Sequence, residues 1–123
     1  MNSPSPKHFS ELTQEVSRNL ATLRTDTPAV MKAFGDLSRA ALQDGALTKK
    51  TKELMALALG VAAHCEACIG FHAQALVRLG ASRAELEETL GMAVYMGGGP
   101  SLMYAASALA AYEEFSSAQA VAA

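Results

Sequence analysis

The apolar residues of this chain recur every three or four positions, and nowhere does a strict alternation of apolar and polar residues persist. A period near 3.6 buries one stripe of a helix, whereas a half-buried strand needs a period of two. The fold class is therefore expected to be all-α. Breaks in the pattern divide the chain into about six helices, and 123 residues make one domain with one core. Half of the residues are apolar but only 6% are aromatic, and alanine is abundant. Small side chains suit closely packed helices better than a sheet.

Leu12, Val16, Leu20 and Leu23 form the stripe of a first helix ending near Arg24, with Ser10 as its candidate cap. Thr27 followed by Pro28 reads as a second helix start, with proline at the first helical position. Val30, Met31, Phe34, Leu37, Ala41 and Leu42 give this helix an apolar face, and Gly45 is expected to end it. Thr48 can cap a third helix that carries Leu54, Leu57, Ala58 and Val61 inward. A fourth runs through the two cysteines to Gly80. Ser82 and Glu85 form a capping box opening a fifth helix, with Leu86, Leu90, Ala93 and Val94 along it.

Gly97, Gly98 and Gly99 interrupt the pattern, and Pro100 restarts it through Leu102, Met103, Ala106, Leu109 and Phe115. This glycine run lacks a Lys-Ser/Thr pair and follows no strand. A close-packed turn is the better reading than a phosphate site. The expected organisation is a tail and first helix at residues 1–26, a helical core at 27–115 and a C-terminal tail at 116–123, with residues 1–6 loosely attached.

A net charge of −2 gives no reason to expect nucleic acid. Residues 1–10 are polar, so no signal peptide is expected, and the longest apolar run, residues 55–63, is too short to span a bilayer. A cytoplasmic location is expected. There, a C-x-x-C pair is more often redox-active or metal-binding than a structural staple.

That pair is Cys65 and Cys68. If residues 65–79 are helical, Cys65, Cys68, Ile69, His72, Leu76 and Leu79 share one face. A buried imidazole there needs a hydrogen-bond partner. Glu53 is the one charged residue on a stripe with Ala56, Leu57 and Gly60. If the chain folds back near Ala62 and Ala63, Glu53 and His72 lie equally far from the turn, roughly 14 Å along each helix. An antiparallel pair then sets the carboxylate level with the imidazole. Gly60 and His64 suggest the break, whereas a continuous helix would separate the two.

Three chemistries fit these residues. Two buried thiols and a satisfied core histidine are one. A zinc site of Cys65, Cys68, His72 and either His64 or Glu53 is another, although one helix cannot surround a metal tetrahedrally and no glycine follows the first cysteine. The third is a redox dithiol at a helix N-terminus, where the helix end favours a thiolate. His72 then moves protons and Glu53 orients it. Only this third reading uses every polar residue on the stripe.

Glu53, the run Cys65-Glu66-Ala67-Cys68 and His72 together resemble the signature of the alkylhydroperoxidase D family, within the carboxymuconolactone decarboxylase superfamily. The similarity extends from about Met31 to Tyr112 and includes Ala93-Val94-Tyr95-Met96-Gly97-Gly98-Gly99-Pro100. The resemblance implies an all-α bundle with the C-x-x-C at the start of a central helix, a homo-oligomer of three or six chains, and reduction of hydroperoxides. It implies Cys68 as the peroxide-reacting thiol, Cys65 as the resolving thiol, His72 as the relay base and Glu53 as its partner. No bound cofactor is expected; electrons would come from an external dithiol, a dihydrolipoyl protein or another small one. The best-known members carry a further histidine between the cysteines, where this chain has Ala67. The alternatives are a decarboxylase of a small lactone acid, an activity that does not use a cysteine pair, and a non-catalytic redox-sensing oligomer.

Overall fold

The computed structural model describes residues 8–122, which form six helices and no strand. They are α1 (His8–Asp26), α2 (Pro28–Leu42), α3 (Lys49–Ala62), α4 (Glu66–Arg78), α5 (Arg83–Gly97) and α6 (Gly99–Ala122). The expectation for residues 1–6 lies outside the described residues. Among the described residues, no helix is long and apolar enough to cross a membrane.

Helix α4 lies at the centre, packed against α6, α3 and α1. Its Ile69, Ala73 and Leu76 are fully buried together with Leu57 and Val61 of α3 and Leu86 of α5. Ala105, Ala108 and Ala111 give α6 a buried stripe of small side chains, so its backbone can lie close to α4. Burying Leu57, Val61, Ile69, Leu76 and Leu86 stabilises the bundle by about 1.5–3 kcal/mol each before the entropy of ordering is charged against it.

The caps explain where the helices begin. Ser82 Oγ accepts from Glu85 N–H at 3.1 Å, and Glu85 Oε1 accepts from Ser82 N–H at 2.9 Å, the reciprocal capping box. Thr48 caps α3 through Thr51 N–H at 3.2 Å. Ser10 lies inside α1 and does not cap it, because the amides of Phe9 and Ser10 have another partner. The Glu114 carboxylate of α6 accepts from Phe9 N–H at 3.1 Å and from Ser10 N–H at 2.7 Å. Thr27 precedes α2 as expected, but its hydroxyl donates back to Leu23 O at 2.8 Å instead of capping.

Helix α2 ends at Leu42, before Gly45, with Gln43 extended at its C-terminus. It buries no residue. Val30, Phe34 and Leu37 remain 68%, 65% and 63% exposed, because among the described residues α2 packs only against α1 and α3 and none stands opposite its apolar face. Helix α6 runs past Ser116 to Ala122. The turn before it is close-packed: a Cβ on Gly97 would collide with the Ser101 side chain, and Gly98 has φ +75°.

Two helices end in the same way. After α3, His64 N–H donates to Val61 O at 3.1 Å and Cys65 N–H to Gly60 O at 3.0 Å. After α4, Gly80 N–H donates to Val77 O at 3.1 Å and Ala81 N–H to Leu76 O at 3.0 Å. Each is a Schellman turn, which requires a left-handed residue. Gly80 has φ +76° and His64 has φ +57°. A histidine in that region is strained by about 1–2 kcal/mol, a cost glycine avoids. This turn reverses the chain, so α3 and α4 are antiparallel neighbours and not one continuous helix.

Candidate active site

The turn delivers Cys65 to the N-cap of α4, with φ −108° and ψ 98°. Its Sγ accepts from Cys68 N–H at 3.2 Å. The Cα atoms of Cys65 and Cys68 are 5.3 Å apart and their sulfurs are joined as a disulfide. Both cysteines are half-buried at the end of the bundle. Gly60 faces them from α3. A Cβ added there would stand 3.2 Å from Cys68 Cβ, so the glycine lets the two helices approach at the sulfur pair.

One turn beyond Cys68 on the same face is His72. Its Nδ1 lies 3.1 Å from Glu53 Oε2. Glu53 is 2% exposed and the His72 side chain 30%, so the pair reaches from the interior to the solvent-accessible side. Ionised Glu53 can only accept, so Nδ1 carries the hydrogen and Nε2 keeps its lone pair free for proton transfer. Burial strengthens the orientation, because a desolvated carboxylate without a donor is costly.

The structure thus pairs Glu53 with His72 across α3 and α4 and bonds Cys65 to Cys68 at the turn between them, with His72 one helical turn along α4 from Cys68. His64, weighed above as a zinc ligand, lies apart from them in bonding. Its ring stacks on Tyr104 of α6, with centroids 4.6 Å apart and planes within 6° of parallel. Among the described residues, no three His, Cys, Asp or Glu side chains gather into a metal-holding cluster. Sulfurs bonded to each other are also not thiolate donors. The arrangement offers a dithiol/disulfide couple, an imidazole one turn away and a buried carboxylate fixing that imidazole. Tyr104 was not singled out from the sequence, and no local signal could have found it. Its contact depends on how α6 crosses the α3–α4 turn.

The family model described as the carboxymuconolactone decarboxylase family matches residues 28–111. The chain is 42% identical over 99 residues to an uncharacterized protein of Cupriavidus necator, covering 80% of this chain and 88% of that one. It is 36% identical over 86 residues to uncharacterized protein 4 in the cox locus of Paracoccus denitrificans, covering 70% and 78%. Among solved structures, the apo form of a carboxymuconolactone decarboxylase family protein from Legionella pneumophila superimposes with a TM-score of 0.89 at 60% identity, covering 90% of this chain and 99% of that one. A protein of the same family from Thermotoga maritima, for which a part in the antioxidative response has been suggested, gives 0.80 at 30% identity, covering 89% and 94%.

Proposed function

The chain belongs to the carboxymuconolactone decarboxylase family, and from that premise we propose that it is a thiol-dependent reductase of organic hydroperoxides. The observation that carries this reading is the bonded Cys65–Cys68 pair at a helix N-terminus, one turn from a His72 held by buried Glu53. The suggested antioxidative part of the Thermotoga maritima relative supports it.

In the reduced protein, His72 Nε2 takes the thiol proton of Cys68, its neighbour one turn back. The thiolate attacks the distal oxygen of R–O–O–H. The O–O bond breaks, Cys68 becomes a sulfenic acid, and the alkoxide leaves as R–OH with the proton from His72. The Cys65 thiol then gives up its proton and attacks the Cys68 sulfur; the S–O bond breaks, the departing hydroxide takes that proton and leaves as water, and the disulfide forms. Two electrons pass from two thiols to one peroxide. An external dithiol, of the dihydrolipoyl type, attacks Cys65 and restores the pair by thiol–disulfide exchange. The protein needs no bound cofactor for these steps. A reducing cytoplasm suits such a donor, and the exposed face of α2 suits a homo-oligomer of three or six chains.

The test is a thiol titration of the reduced protein before and after one equivalent of cumene hydroperoxide. Both thiols of each chain should disappear and return with dithiol. Cys65→Ser should consume one equivalent and stop, whereas Cys68→Ser should not react. Two thiols surviving excess peroxide would end this reading; decarboxylation of a lactone acid that persists in Cys68→Ser would replace it.

A further inference from the structure

The chain builds one kind of turn twice and fills its left-handed position differently. After α4, where the turn leads only to the next helix, the residue is Gly80 with φ +76°. After α3, where the turn leads directly into the cysteine pair, it is His64 with φ +57°. The hydrogen bonds of the two turns match within 0.1 Å, both closing at 3.0 and 3.1 Å. Turn geometry therefore does not ask for a histidine; glycine meets it without strain. Strain retained beside a reactive group is a reason to look for a role.

The ring of His64 supplies that role through Tyr104. The two rings are stacked 4.6 Å apart and nearly parallel. The stack joins α6 to the turn at the residue immediately before Cys65. Cys65 is the N-cap of α4, and its Sγ receives the Cys68 N–H at 3.2 Å. That bond is stronger to a thiolate than to a disulfide sulfur, because a charged acceptor strengthens it. Anything that holds Cys65 in the N-cap geometry therefore favours the reduced pair.

We propose that His64, clamped on Tyr104, is a positioning residue for the redox pair: it holds Cys65 where Cys68 N–H reaches its sulfur, and so keeps the disulfide easy to reduce. It acts through Cys65 and does not itself touch the peroxide. The proposal deepens the reductase reading above and names the device that ties the resolving thiol to the bundle. A glycine would build the same turn but leave the α6 side unanchored.

The test measures the equilibrium between the protein disulfide and reduced dithiothreitol. Dithiothreitol gives up two electrons and two protons and is oxidised; both electrons and one proton pass to the protein, forming the Cys65 thiolate and the Cys68 thiol, and the second proton goes to the buffer. His64→Gly, Tyr104→Ala and Tyr104→Phe are compared with the parent chain, and each is also melted. His64→Gly should melt no lower than the parent, because the strain is gone. Its equilibrium should nevertheless move about fivefold towards the disulfide, the factor one weakened hydrogen bond carries. Tyr104→Ala should move it the same way, and Tyr104→Phe, which keeps the stack, should restore the parent value. Constants for His64→Gly and Tyr104→Ala within twofold of the parent overturn the proposal, whatever their melting temperatures, and leave His64 as a tolerated cap. The measurement uses no peroxide. A parent chain that fails to turn over hydroperoxide defeats the reductase reading and leaves this result standing by itself.

Discussion

Glu53 Oε2 and His72 Nδ1 meet at 3.1 Å although the residues are 19 apart in sequence and sit on different helices. The carboxylate is almost wholly buried while the imidazole is about one-third exposed. One partner is fixed and the other is available, as a proton relay requires. His72→Ala is expected to slow hydroperoxide consumption about 100-fold, the lower end of what general acid–base groups contribute. Glu53→Gln keeps an acceptor for the Nδ1 hydrogen but loses the charge that stabilises the imidazolium. A smaller loss, about tenfold, is expected there. Stopped-flow peroxide consumption with a dithiol donor, alongside circular dichroism to verify folding, measures both. Full activity in folded His72→Ala would remove the relay from the mechanism.

The capping box of α5 makes a prediction about acid. The Ser82 backbone N–H, followed by the Lys50 ammonium, holds the Glu85 carboxyl below the usual carboxylate range. A depressed folded value means that its stabilising contribution is complete above the ordinary glutamate value, about 4.3. It is lost as pH falls through the lower folded value. Glu85→Gln retains a side-chain oxygen but cannot titrate. The gap between the urea midpoints of the parent and Glu85→Gln should be present near about pH 6 and close near about pH 3. A gap that widens on acidification has the wrong sign for this account.

Much of this arrangement is readable from spacing alone. Equal counts from the fold-back to Glu53 and to His72 set the two level, and the periods of Leu57, Val61, Ile69 and Leu76 mark the buried stripes that zip α3 to α4. The fold-back itself is harder to read, because its left-handed residue is His64 where glycine is the usual signal. The start of α1 is not legible at all. Its cap, Glu114, is 105 residues from Phe9, and only tertiary packing brings it there. The apolar spacing of α2 is plain in Val30, Phe34 and Leu37, but spacing identifies a face and not what covers it.

That face leads to an expectation about assembly. Phe34 is 65% exposed, with Val30 and Leu37 on the same side of α2 at 68% and 63%. Contiguous exposed apolar side chains of this kind mark contact surfaces. Asp36 forms ion pairs with both Lys32 and Arg39 along the same helix. The parent chain should therefore sediment as a homo-oligomer, and Phe34→Glu should yield a smaller species with unchanged helix content. Analytical ultracentrifugation decides it. A parent chain that sediments as a monomer at micromolar concentration disposes of the idea.

Gly60 is where packing and chemistry oppose each other. As a glycine inside α3 it weakens that helix by about 0.5–1 kcal/mol relative to alanine. An alanine Cβ there would stand 3.2 Å from Cys68 Cβ and 3.7 Å from Ile69 N. Both atoms belong to the first turn of α4 and cannot swing aside as a long side chain could. Overpacking of this kind costs about 1–3 kcal/mol, which offsets or exceeds the gain in helix propensity. Gly60→Ala is therefore expected to be no more stable than the parent in urea, and to be as much as about 2 kcal/mol less stable. Parting α3 from α4 at this point also moves Cys68 relative to Cys65 and to the Glu53–His72 pair. Hydroperoxide-driven disulfide formation should slow about tenfold, because small displacements of reacting groups are expensive in rate. If Gly60→Ala instead gains the full propensity increment and closes its disulfide at the parent rate, the close approach of the two helices at the sulfurs has no bearing on the chemistry.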